Sequence, residues 1–359
     1  MASSHSAPVQ RCSSRAPSSA SAHWWHPKLN RAAASRSRLP PARTSIAAAA
    51  GGSSGSSGVL VLPGFLFSSR QYAPLVADLR ARGYDAEVVP TAMSDWFPVI
   101  YGASFDWYLK RMDSLLQSMH ARHDRVALVG HSAGGWLARI LLGGEPYQGV
   151  RYGRSGWVHT LLTLGTPHQS IENYPFGRAE ESLAGASIDA APPGVRGSSL
   201  QFANYFYPDA AALGGVRVVC ACGDVIRGRP LWGPGSGASG SSNGSSTSTS
   251  SSLSSSYPSA GSLDEGSNFG RGFQSRGGSR WDAYVAFESY KSGCGRGDVD
   301  GDGVTPLCIA QLPGAEELLL PGVWHIPRGR GQVWYGDAAV QEQWLHYLRE
   351  PQGSAAGRT

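Results

Sequence analysis

No aspartate or glutamate occurs in this 359-residue chain before Asp78, although Arg11, Arg15, Lys28, Arg31, Arg36, Arg38 and Arg43 all precede it. The segment 1–58 also lacks the apolar core of a secretory signal, its longest apolar run being residues 46–50. An acid-free stretch rich in Ser, Ala and Arg has the composition of an organelle transit peptide, and the Ser/Ala/Pro richness favours chloroplast over mitochondrion. Nowhere does the chain approach the ~18 consecutive apolar residues that a membrane-spanning helix needs, so any membrane contact is expected to be peripheral. A basic body is missing too. The net charge of +5 comes from the leader, because residues 59–359 hold 24 basic against 26 acidic residues. A nucleic-acid-binding domain is therefore not indicated. Five cysteines, with Cys12 in the leader, make no disulfide framework. Cys220-Ala221-Cys222 alternates within an apparent strand and reads as core, and a bridge between Cys294 and Cys308 is disfavoured in a reducing stroma.

What is present suffices for one sizeable core: 41% hydrophobic residues, with 11 Trp and 14 Tyr. Apolar runs at 59–62, 86–89, 126–129, 158–164, 216–222 and 317–320 read as strands. Helical spacing marks 69–82, 104–121, a helix opening at Trp136 and running through 142, and a closing helix at 336–349. Continuous apolar strands separated by amphipathic helices predict an α/β fold, a mostly parallel six-stranded central sheet with helices on both faces. Residues 170–215 mix aromatics with Gly and Pro and suit a small cap or lid. Residues 233–280 are dominated by Ser and Gly and read as a disordered low-complexity insertion, and 350–359 as a disordered tail. The single domain then comprises 59–232 and 281–349.

The chemistry centres on Gly130-His131-Ser132-Ala133-Gly134, which follows a strand and opens a helix. A serine held at such a turn is exposed at the mouth of the sheet, with the helix N-terminus aimed at a developing oxyanion. The same G-x-S-x-G pattern recurs at Gly51-Gly52-Ser53-Ser54-Gly55 and Gly240-Ser241-Ser242-Asn243-Gly244, but both copies lie in Gly/Ser runs without a strand or helix. An activated serine needs a base and a group that orients it, acid first and histidine second along a sheet of this order. Asp302, in Gly301-Asp302-Gly303-Val304-Thr305-Pro306, and His325, after the sixth strand, supply that order. Asp224, directly after the fifth strand, is the alternative acid, and Asp300 a lesser one. Asp302 is preferred because its turn chemistry presents a carboxylate. Asp298, Asp300 and Asp302 imitate the start of a calcium loop, yet position 12 is Ile309 and Pro306 interrupts it, so no metal site is expected. His131 and His168 are read as packed turn residues.

Five motifs in this order resemble the lipase/esterase branch of the α/β-hydrolase superfamily: Leu62-Pro63-Gly64-Phe65, the serine turn, Leu164-Gly165-Thr166-Pro167-His168, Asp302-Gly303-Val304-Thr305-Pro306 and Gly322-Val323-Trp324-His325. They are most similar to compact bacterial triacylglycerol lipases, GPI-inositol-deacylase-like proteins and plastid or cyanobacterial hydrolases. The resemblance covers roughly 59–232 and 281–349. It implies an α/β-hydrolase fold with Ser132 as nucleophile, His325 as base, Asp302 as its partner, and the N–H groups of Phe65 and Ala133 as oxyanion donors. Pro63 stands where many relatives carry histidine, which leaves the Phe65 donor available. The implied activity is cleavage of carboxylic esters, small-molecule or lipid, with no cofactor and no obligate protein partner. An acyltransferase on the same triad, or a largely non-catalytic receptor for a small ligand, are the alternatives.

Overall fold

The computed structural model describes residues 57–171, 198–232, 278–326 and 332–350. The transit-peptide expectation (residues up to 56), most of the expected cap (172–197), nearly all of the Ser/Gly insertion (233–277) and the tail (351–359) lie outside them.

Six strands form one sheet: β1 (Gly58–Leu62), β2 (Asp85–Val88), β3 (Val126–His131), β4 (Val158–Leu164), β5 (Arg217–Asp224) and β6 (Glu316–Pro321). Their order across the sheet is β2-β1-β3-β4-β5-β6, and every pairing is parallel. Strands β1, β3 and β4 are buried along their whole length, as their unbroken apolar sequences require. The edge strands β2 and β6 are more exposed, and β6 carries Glu316 and Glu317 at its start.

Alternate residues of the strands feed two cores. Leu60, Leu62, Val126, Leu128, Leu161, Val218 and Cys220 face α2 (Asp106–His120) and α3 (Ala133–Leu142). Val59, Val61, Ala127, Val129, Leu162, Leu164 and Val219 face α1 (Ala73–Ala81) and the closing helix α6 (Ala338–Trp344). The stretch expected as one helix over 69–82 is a 3₁₀ turn, Ser69–Tyr72, capped by Ser68, followed by α1 with Pro74 in its first turn. The closing helix likewise ends in a 3₁₀ turn, Leu345–Leu348.

Two helices complete the frame. Helix α4 (Ser199–Phe206) falls in the segment expected to cap the pocket, yet Leu200, Phe202 and Ala203 are buried in the first core. This part of the segment is therefore built into the body of the domain. Arg139 of α3, fully buried, donates to the carbonyls of Ala203 and Tyr207 and to Asn204 Oδ1, closing the C-terminal end of α4. Helix α5 (Arg280–Cys294) was not foreseen as a helix. It begins at a capping box, Ser279 with Asp282, and ends at Gly295 in the left-handed region.

Candidate active site

Strand β3 ends at His131, and the chain must reverse at once into α3. Ser132 makes this turn with φ 50° and ψ −124°, a strained conformation for a residue with a side chain. Its glycines are there for space. A Cβ on Gly130 would sit 2.5 Å from Gly135 Cα, and one on Gly134 would collide with the Leu62 carbonyl. The turn is pinned from β4: Ser132 N donates to Leu164 O at 2.9 Å, and Thr166 Oγ1 donates to Ser132 O at 2.9 Å. Ser132 is half-buried, open enough to receive a substrate.

Asp302 and His325 meet beside this turn. His325 Nδ1 donates to Asp302 Oδ2 at 2.7 Å, and His325 N donates to Asp302 O at 2.9 Å. The Asp302 carboxylate accepts three further hydrogen bonds, from Tyr335 Oη (2.7 Å), Val304 N (3.0 Å) and Thr305 N (2.6 Å). Thr305 Oγ1 donates to Gly165 O at 2.8 Å, which ties the acid loop to the Gly165-Thr166-Pro167-His168 turn. Gly165 has φ 59°, and a Cβ there would lie 2.5 Å from Asp302 Oδ2 and 2.9 Å from His325 Nδ1, so this turn lies against the acid–base pair. The Nδ1 contact leaves Nε2 of His325 as the nitrogen free to act as a base. Among the described residues no hydrogen bond joins it to Ser132 Oγ.

The loop after β1 closes the other side. Gly64 approaches so near that a Cβ would be 2.8 Å from Ser132 Cβ. Gly64 N is engaged by Tyr72 Oη at 3.0 Å. Among the described residues, neither the next amide, Phe65 N, nor the first amide of α3, Ala133 N, donates a hydrogen bond.

The other candidates are placed elsewhere. Asp224 closes β5, paired with Pro321 in the sheet ladder, and the acid on His325 is Asp302. The three acids of the calcium-like run do not converge: Asp298 pairs with Arg296, Asp300 with Arg227 and Asp302 with His325. His168 is buried against Thr163 and Arg139, and burial followed by the Arg139 charge lowers its pKa well below the usual value. The supporting hydroxyls of Tyr72, Tyr290 and Tyr335 were missed by sequence reasoning. Tyr335 lies 33 residues from Asp302, and Tyr72 lies 59 from His131, so no local pattern announces either contact.

A parallel sheet in this order, a strained serine between strand and helix, and a histidine on an acid after a later strand define one architecture. This is an α/β-hydrolase fold. A PGAP1-like alpha/beta domain model matches residues 105–175, a span that includes α2, the serine turn, α3 and β4. Among solved structures the chain is similar to the mature form of the Bacillus licheniformis lipase BlEst2, at 14% identity and TM-score 0.45, covering 84% of this chain and 95% of that one. It is also similar to RedJ, a thioesterase of the prodiginine pathway in Streptomyces coelicolor, at 15% identity and TM-score 0.25, over 51% of this chain and 78% of that one. Tomato methylketone synthase I matches at 13% identity and TM-score 0.24, over 31% and 40%. No curated protein matches the sequence.

Proposed function

We propose that the protein is a serine hydrolase of carboxylic esters, with acyl lipids as its substrate class. The observation that carries this reading is the strained Ser132 turn set beside a buried His325–Asp302 pair. In this reading Ser132 Oγ attacks the ester carbonyl while His325 Nε2 takes its proton. The oxyanion of the tetrahedral intermediate is held by Phe65 N and Ala133 N, and each such donor is commonly worth a few kcal/mol. Collapse breaks the bond to the alcohol, which leaves with the proton from His325. Water, deprotonated by the same nitrogen, then attacks the acyl-enzyme and releases the acid and free Ser132. Asp302 keeps the proton on Nδ1 throughout. The acyl preference is supported by Met93, Phe97 and Tyr101, which expose apolar surface in the segment whose Trp96 packs on Phe65 and donates to Phe67 O.

The test is labelling by a fluorophosphonate together with turnover of a p-nitrophenyl acyl ester. Wild type should react in both assays. Ser132→Ala should lose labelling and drop kcat by several orders of magnitude, given the ~10⁶-fold effect of such knockouts, at nearly unchanged Tm. A variant keeping more than about a hundredth of wild-type kcat would send the search to another nucleophile.

A further inference from the structure

Between the oxyanion loop and the base lies a group of buried polar atoms that the mechanism above does not use. His131, the residue before Ser132, is fully buried. Its Nδ1 is 2.7 Å from Tyr72 Oη, and its Nε2 is 2.9 Å from the backbone carbonyl of His325. Tyr72 Oη is also the atom that receives Gly64 N–H at 3.0 Å. Every direction in this chain is forced. A carbonyl cannot donate, so Nε2 carries the imidazole proton and donates to His325 O. Nδ1 is then an acceptor, so Tyr72 donates to it and its oxygen is free to accept from Gly64.

The surroundings keep the chain in this one state. Phe67, Tyr72, Trp334 and Tyr335 ring the imidazole at centroid distances of 5.1 to 6.0 Å, and the His325 ring lies at 4.8 Å. Burial, and then the neighbouring His325, push the pKa of His131 well below the usual value. Burial likewise raises that of Tyr72. Among the described residues, neither the Tyr72 hydroxyl nor the His131 imidazole has another hydrogen-bond partner.

We propose that Tyr72 and His131 are positioning residues that fix the oxyanion donor loop and the catalytic histidine relative to each other. One end of the chain holds Gly64, whose neighbour Phe65 supplies a donor, and the other end holds the backbone of His325. The distance from donor to base across the reacting carbonyl is thereby set by three hydrogen bonds. The inference rests on the triad reading above.

Because geometry matters chiefly in the transition state, loss of the chain should lower kcat and leave KM nearly alone. Tyr72→Phe removes one oxygen and keeps the ring. It should reduce kcat and the rate of fluorophosphonate labelling together by about 10- to 100-fold, the scale of a misplaced reacting group. His131→Asn keeps an acceptor toward Tyr72 and loses the donor to His325, and His131→Gln does the reverse, so each should show the same kinetic signature. The two serve if Tyr72→Phe fails to fold. The double variant Tyr72→Phe/His131→Asn should cost clearly less than the product of the single effects, since either single change already cuts the chain. Fully multiplicative losses, or a Tyr72→Phe enzyme with wild-type kcat and labelling, would overturn the proposal while Ser132 labelling in wild type still stood. Wild-type protein that fails to label at Ser132 would overturn the triad reading, and this inference with it.

Discussion

At Asp302 four donors leave the carboxylate no room to rotate. Val304 N and Thr305 N hold Oδ1, while Tyr335 Oη and His325 Nδ1 share Oδ2. An amide at this position would present N–H groups to partners that are themselves donors, and the imidazole would have to turn or change tautomer. Asp302→Asn should therefore cut kcat by about 10⁴-fold, with a visible loss of stability from the unmatched donors. Asp224→Asn, at the end of β5 and away from the His325 contact, should change kcat little. Turnover of a soluble acyl ester by the two variants decides it, and the opposite ranking would transfer the acid role to Asp224. The same packing explains which residues could be read in advance. Ser132, Asp302 and His325 each sit in a short motif whose local conformation is part of the chemistry. Tyr72 and Tyr335 matter only through contacts made across the folded domain.

Helix α5 is the element whose role the sequence concealed most. Its buried face is Ala283, Ala286, Tyr290 and Gly293, mostly small residues, while Trp281 and Val285 are exposed. Hydrophobic periodicity is therefore weak, and the capping box and Gly295 were the legible signals. The parallel strands were easy by contrast, because burial on both faces demands unbroken apolar runs such as Val126–His131 and Val158–Leu164. What α5 does is hold the acid loop. Tyr290 Oη accepts Gly303 N at 2.8 Å and donates to Ile226 O, and Ser289 Oγ donates to Val304 O at 2.7 Å. Tyr290 packs with Val225, Ile226, Ala283, Ala286 and Trp324 in a small core of its own. Tyr290→Phe keeps that packing but strands a buried amide, which should cost about 1–3 kcal/mol. The expected result is a lower urea midpoint and a lower kcat with KM near wild type. Unchanged values of both would mean that the loop needs no support from the helix.

At the scale of the whole molecule, three of the buried imidazoles among the described residues couple the fold to pH. His131, His159 and His168 are each pushed down by burial, His159 to about 4 and the other two well below the usual value. In the unfolded chain each should titrate near pH 6.5. Above that pH the histidines are neutral in both states and cost nothing. As pH falls below it the unfolded chain takes up protons that the native state refuses, so stability falls. The loss continues until each native group protonates, near pH 4 for His159. Each histidine contributes a slope of at most about 1.4 kcal/mol per pH unit in this window. Asp85, Asp95 and Glu316, whose pKa values are lowered in the native state, add their own loss only below the carboxylate range. Urea unfolding measured from pH 7.5 to 4.5 should therefore show a plateau above pH 7 and a steepening decline below 6.5. His159 lies in β4, away from the serine turn, and among the described residues its Nδ1 has Thr160 Oγ1 at 3.0 Å as its one hydrogen-bond partner. His159→Gln should remove about a third of the slope between pH 6 and 5 while sparing ester turnover at pH 7.5. A wild-type curve flat down to pH 5 would show that the three imidazoles are not held neutral. An unchanged slope in the variant would show that His159 protonates in place.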